Sequence, residues 1–238
     1  MHKKIKPLIG CLLLAVSGTP LFSSSSPNIP ELFFEYGMLF DVGVCSNTES
    51  KPISAAMVDE LDALLPRIQV TWKQEGESLL TATTQLFNIP FSRKELSVNF
   101  ILCDTLFTGM SYPLLIKIRN FLKSSNENPL PGSYLTMVIY HELLHRYIHK
   151  DIPGLSEATG LLKKYEAEST TVKAHFHLLA IQKYVYHALN RDNEFEDNIK
   201  IMLNNTWSPA YQRAWDIVNE EGHMAFINEI LDLINQQT

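Results

Sequence analysis

The chain of 238 residues contains only three cysteines, Cys11, Cys45 and Cys103, and no two of them have CxxC spacing. That excludes a zinc ribbon, a dithiol redox centre and a small scaffold stapled by disulfides. Long apolar runs are also missing. The run from Pro7 to Val16 is about ten residues, too short to span a bilayer as a helix. No long run of Lys or Arg occurs, and the formal charge is −6. Nucleic-acid binding needs clustered cations to neutralise phosphates, so this composition argues against a nucleic-acid partner. What remains is an ordinary globular mixture, 45% hydrophobic and 19% charged, sufficient to bury the core of one sizeable domain.

The N-terminus reads differently from the rest. A cationic start, Lys3, Lys4 and Lys6, precedes the short apolar run, and small residues follow at Ala15, Ser17 and Gly18. This is the order of a secretory signal peptide, taken here as residues 1–23, with cleavage between Ser17 and Ser23. Export to the periplasm or the medium is the expectation. Leu8-Ile9-Gly10-Cys11 has the form of a lipoprotein box, but the apolar run lies mostly after Cys11, which argues against a lipid anchor there. In the mature chain, 24–238, Cys45 and Cys103 could form one disulfide or remain two small buried thiols.

The pattern predicts an α+β domain that is mainly helical, with a small N-terminal sheet. Leu32 to Val44 is apolar and aromatic and reads as strand. Ser54 opens a helix with Met57, Leu61, Leu64 and Leu65 at helical spacing, which Pro66 should kink or split. A second helix runs from Arg67 towards Phe87, weakened at Gly76, and Asn88 to Pro90 ends it. Leu96 to Cys103 alternates with period two and is the clearest strand. Ser111 to Ile118 is strand or short helix, and Ser124 to Gly132 is a loop. From Ser133 onward only helices are predicted: Ser133–His149, one long helix over Leu161–Asn190, one capped by Ser208-Pro209, and Glu221–Asn235. No repeat or interdomain linker interrupts the chain, so one domain is expected.

The chemistry concentrates in His141-Glu142-Leu143-Leu144-His145. Residues four apart lie one turn apart on one helix face, so the two imidazoles can converge on a tetrahedral ion. Glu142 sits beside them, where it can act as general base on a water at the metal. A shuffled chain of this composition contains an HExxH string in about 2% of cases. Here it also lies within an apolar helix, where unpaired His and Glu would be costly to bury.

The segment resembles the active-site helix of zincin metallopeptidases, although Arg146 departs from the uncharged residue usual after the second His. The longer string with Tyr165, Glu168, His175 and His177 is similar to uncharacterised exported bacterial proteins, which assigns no activity. The metzincin variant of the resemblance would place a glycine at position 148 and a ligand at 151; the residues here are Ile148 and Asp151. The gluzincin variant takes a Glu from the following helix, and Glu168 is the favoured third ligand on that basis. Glu166, His175 and Asp151 remain alternatives. His149 lies too far along the helix axis to reach the same ion. His175 and His177, two apart, point to opposite sides of a helix and cannot share one ion. Tyr165, His175, His177, Tyr211 and His223 are candidates to stabilise an oxyanion. By analogy with zincins, the strand Leu96–Cys103 could be the edge along which an extended peptide binds.

The resemblance implies one Zn²⁺ per chain, a peptide or protein substrate, and hydrolysis by a metal-bound water that Glu142 activates. The alternative is a non-catalytic exported binding protein with a structural zinc site. Such a site is normally closed by four protein ligands, whereas a catalytic one keeps an open position.

Overall fold

The computed structural model describes residues 29–45, 52–155, 159–205 and 209–237. The proposed signal segment 1–23, with Cys11, lies outside them, as do Ser208 and the side chain of Cys45. Cys103 is a buried free thiol.

The chain opens with strand β1 (Glu31–Tyr36) and turns at once into helix α1 (Met38–Cys45), so the apolar stretch expected as strand is strand for only its first half. The reason is Asp41. Its buried carboxylate accepts hydrogen bonds from the backbone N–H groups of Leu102 and Cys103, which requires the chain to fold back over the end of the neighbouring strand. Helix α2 (Ala55–Thr71) is capped by the Ser54 side chain, which accepts from Met57 N–H, and it buries Met57 and Leu61. Pro66 does not split it. The proline is on the exposed side, where water can satisfy the carbonyl it leaves unpaired. The interruption comes instead at a π-helical turn, Trp72–Gly76, before α3 (Glu77–Phe87). Gly76 is needed there: a Cβ would lie 2.2 Å from the buried Trp72 ring. Asn88, in the left-handed region at φ 51°, ends α3.

Strands β2 (Glu95–Ile101), β3 (Gly109–Met110) and β4 (Leu115–Lys117) complete a sheet of order β1-β2-β4-β3. The first three in that order are parallel, and β3 pairs antiparallel with β4. The alternating strand β2 is therefore internal and is not the edge expected from the sequence; β3 takes that place. Ser111–Ile118 resolves into a turn followed by β4.

Helix α4 (Gly132–Lys150) carries the HExxH string, and every residue from Tyr134 to Leu144 is buried. A helix apolar all round belongs at the centre of a domain, and α4 packs against α6 (Thr170–Ala188), α7 (Asp192–Asn205), the π turn and β3. The predicted single helix over Leu161–Asn190 is broken. A short helix α5 (Gly160–Lys164) ends in a turn at 165–168, and Ser169 caps α6 by accepting from Val172 N–H. The turn is tied to α8 (Pro209–Glu221): Tyr165 donates to Glu221, and Arg213 donates to Glu168. The sequence pattern assigns no element to 191–207, where α7 forms. Helix α9 (His223–Asn235) ends the described chain. The result is a mainly helical α+β domain with a four-stranded sheet, as the residue pattern predicts.

Candidate metal centre

His141 and His145 lie one turn apart on α4, and the helix that packs across them, α6, brings in His175. One ligand nitrogen from each of the three lies within 4.8 Å of the others. The ring centroids are 4.8–5.2 Å apart: His145 to His175 at 4.8 Å and His141 to His175 at 5.2 Å. His141 and His175 are buried and His145 is half-buried.

The hydrogen bonds determine which nitrogen each ring presents. His141 Nδ1 is 3.2 Å from Oε1 of the fully buried Gln182, and His175 Nδ1 is 2.6 Å from the backbone carbonyl of Thr171. The Thr171 carbonyl can only accept, so His175 Nδ1 carries the proton and its Nε2 the lone pair; the Gln182 oxygen facing His141 Nδ1 gives His141 the same tautomer. Those two Nε2 atoms are buried with no hydrogen-bond partner. An orphaned buried acceptor costs about 1–3 kcal/mol, and here two of them occur in one cluster. A divalent cation that takes nitrogen ligands removes that cost, and ligating histidines usually hold their other N–H in this way. The donor set therefore fits zinc. Burial, then the proximity of the other two imidazoles, pulls the pKa of His141 well down. Burial and His175 pull His145 to about 3, and burial lowers His175. All three imidazoles are neutral at pH 7, the form in which histidine can bind a metal.

Glu142 projects from the flank of this cluster and is 6% exposed. Burial raises its carboxyl to about 7, although Ser111 Oγ donates to Oε2 at 2.6 Å and works against the shift. The edge strand lies directly against it: a Cβ on Gly109 would sit 2.5 Å from Glu142 Oε1. One turn further along α4, Arg146 donates to the Ser111 carbonyl and stacks on Tyr112, 4.4 Å from the ring centroid. The arginine that departs from the zincin pattern thus fastens the turn after β3 to the motif helix.

Two cavities flank the centre along α4 and share Gly109, Glu142 and Tyr211. One, of about 220 Å³, lies towards the N-terminus of α4. The other, of about 650 Å³, lies towards its C-terminus, where it includes His145 and His175. Tyr211, on α8, packs its ring 4.4 Å from that of His175, and burial with the nearby Glu142 holds its phenol protonated, up to about 12.

Glu168, the expected third ligand, is not in the cluster. Its carboxylate accepts from Arg213 at 2.8 Å, in the turn that interrupts the helix predicted for it. Glu166 is exposed in the same turn, and Asp151 accepts from Ser92 N–H. Because α6 begins only at Thr170, the position that returns to the level of the motif is His175, the alternative ligand. Among the oxyanion candidates, Tyr211 and His175 are at the centre. Tyr165 is bonded to Glu221, His177 pairs with Glu229 at 2.6 Å, and His223 packs on Tyr184. Searches of protein-family models, curated proteins and solved structures find no match. The chemistry of the site itself therefore carries the functional reading.

Gln182, Ser111 and Gly109 are absent from the sequence-level candidates. Gln182 had a signal: it is a lone amide in an apolar helical run, seven residues and so two turns after His175, on the same face. Ser111 and Gly109 had none, because their roles depend on β3 lying against α4.

Proposed function

We propose that this chain is an exported zinc-dependent peptidase of zincin type, with the metal held by His141, His145 and His175 and with Glu142 as general base. The observation that carries the reading is the pair of buried, unpartnered Nε2 atoms of His141 and His175 beside a buried carboxylate. Zinc in this cluster would act as a Lewis acid towards a scissile carbonyl and lower the pKa of the attacking water. The residues supply the rest. Glu142, a buried carboxylate on the flank of the cluster, is placed to accept a proton from water and pass it to the leaving amine. Tyr211, held protonated, donates to the oxyanion that develops on the carbonyl. The edge strand β3 can add a substrate strand beside Glu142.

A structural zinc site is the weaker reading. Four protein ligands close such a site, and among the described residues the cluster supplies three, with cavities on both sides. Incubation of the zinc-loaded protein with a mixed peptide library, read by mass spectrometry, tests the proposal beside Glu142→Gln. Cleavage by the wild type and a loss of about 10²–10⁴-fold in the variant, with zinc retained, is expected. Equal cleavage by both would remove Glu142 from its role.

A further inference from the structure

The two cavities beside the histidine cluster differ in size and in charge. The smaller is walled by Phe107, Tyr134, Met137, Val138 and Met202, and Glu142 is the only carboxylate or cation among its described lining residues. Its walls belong to packed elements: Tyr134, Met137 and Val138 are buried on α4, and Met202 is buried on α7. The larger mixes Ser111, His149 and Lys173 with apolar side chains such as Met110, Ile148 and Leu155. A substrate crossing Glu142 and Tyr211, which both cavities share, therefore meets a small chamber without a cationic side chain on one side and a wider groove of mixed character, carrying Lys173, on the other.

We infer that the smaller cavity is the specificity pocket, and that it selects a substrate with one large apolar side chain, aromatic by preference, next to the bond attacked. The inference rests on the metallopeptidase reading of the same centre. Size supports it: an engineered apolar cavity of about 150 Å³ takes a benzene ring, so about 220 Å³ accepts a Phe-sized group. Composition supports it as well. Two thioethers and an aromatic wall make favourable contacts with a ring edge. A charged side chain would lose its hydration there without a partner of opposite sign other than the catalytic carboxylate itself. A basic residue would pair with Glu142 and disable it; an acidic one would be repelled by it.

Binding of small hydroxamates to the zinc-loaded full chain tests this without requiring turnover. Acetohydroxamate, 3-phenylpropanohydroxamate and succinic monohydroxamate share the chelating head and differ in the group attached to it. Isothermal titration should give an affinity for the phenyl compound about 10- to 100-fold above that of the other two. Val138→Phe, which fills the chamber, should reduce that ratio to about 3-fold or less. Equal affinities for the phenyl and succinyl compounds on wild-type protein would overturn the pocket assignment and leave the metal centre standing. A chain that takes up no zinc and binds none of the three would overturn the metal reading, and this inference with it.

Discussion

Gln182 Oε1 lies 3.2 Å from His141 Nδ1, and this one contact sets the face that His141 turns towards His145 and His175. Helix α6 thus contributes twice to the cluster, with the His175 imidazole and, two turns later, with the amide that bonds the His141 ring. Gln182→Leu keeps the volume and removes the acceptor. Zinc affinity should fall about 10- to 100-fold, measured by competition with a chromogenic chelator. The circular dichroism spectrum should be unchanged. An unaltered affinity would mean that the ring is oriented by packing alone.

Gly109 packs its backbone against the Glu142 carboxylate. Gly109→Ala would place a methyl group 2.5 Å from Glu142 Oε1, so either β3 or the carboxylate must shift. Peptide hydrolysis should fall at least about 10-fold, and stability by about 1–3 kcal/mol, with zinc content unchanged. Kinetics beside urea denaturation separates the two effects. Full activity in this variant would show that Glu142 has room to move.

Arg146 should act through Ser111. Arg146→Ala frees the turn after β3, and Ser111→Ala removes the hydroxyl that donates to Glu142. Each should lower kcat about 3- to 30-fold and change KM less, because both act first on the Glu142 carboxylate while Ser111 and Tyr112 also line the larger cavity. A change confined to KM would point to a role in substrate binding instead.

The metal-free protein should lose stability in acid in a way the zinc-loaded protein does not. The folded-state pKa values of His141, His145 and His175 lie below the unfolded value near 6.5, so the unfolded chain binds more protons between them. Stability falls as the pH drops below about 6.5 and levels off only below the folded values, about 3 for His145. Glu142 acts in the opposite sense. Its carboxyl is raised to about 7, so the folded form binds its proton more readily, and its contribution improves as the pH falls from about 7 towards its unfolded value. Three histidines outweigh one glutamate. Melting temperatures of the metal-free chain should drop steadily from pH 7 to pH 4.5, and bound zinc should hold them up until the metal is released. A flat profile for the metal-free chain would mean that the three imidazoles are open to water in the folded state.

The parts of this fold set by local pattern were legible in the residues. The period of Leu96–Ile101, the Ser54 cap and the apolar surroundings of HExxH each name an element without tertiary information. His141, Glu142 and His145 follow from spacing on one helix. The third histidine of the cluster did not, because it depends on how many residues the chain spends before the next helix comes alongside. Side-chain ties from Tyr165 and Glu168 to α8 accompany the break in that helix, whose start at Thr170 brings His175 and not Glu168 beside His141 and His145. The position of β2 inside the sheet was likewise hidden, since the edge strand β3 is only two residues long and carries no pattern.

The most direct test is zinc per chain in the purified wild type, His175→Ala and Glu168→Ala, determined by atomic emission after dialysis against metal-free buffer. A centre built on the three histidines predicts about one zinc in the wild type and in Glu168→Ala, and its loss in His175→Ala. Zinc retained by His175→Ala and lost from Glu168→Ala, or no zinc in a folded wild type after loading, would contradict it.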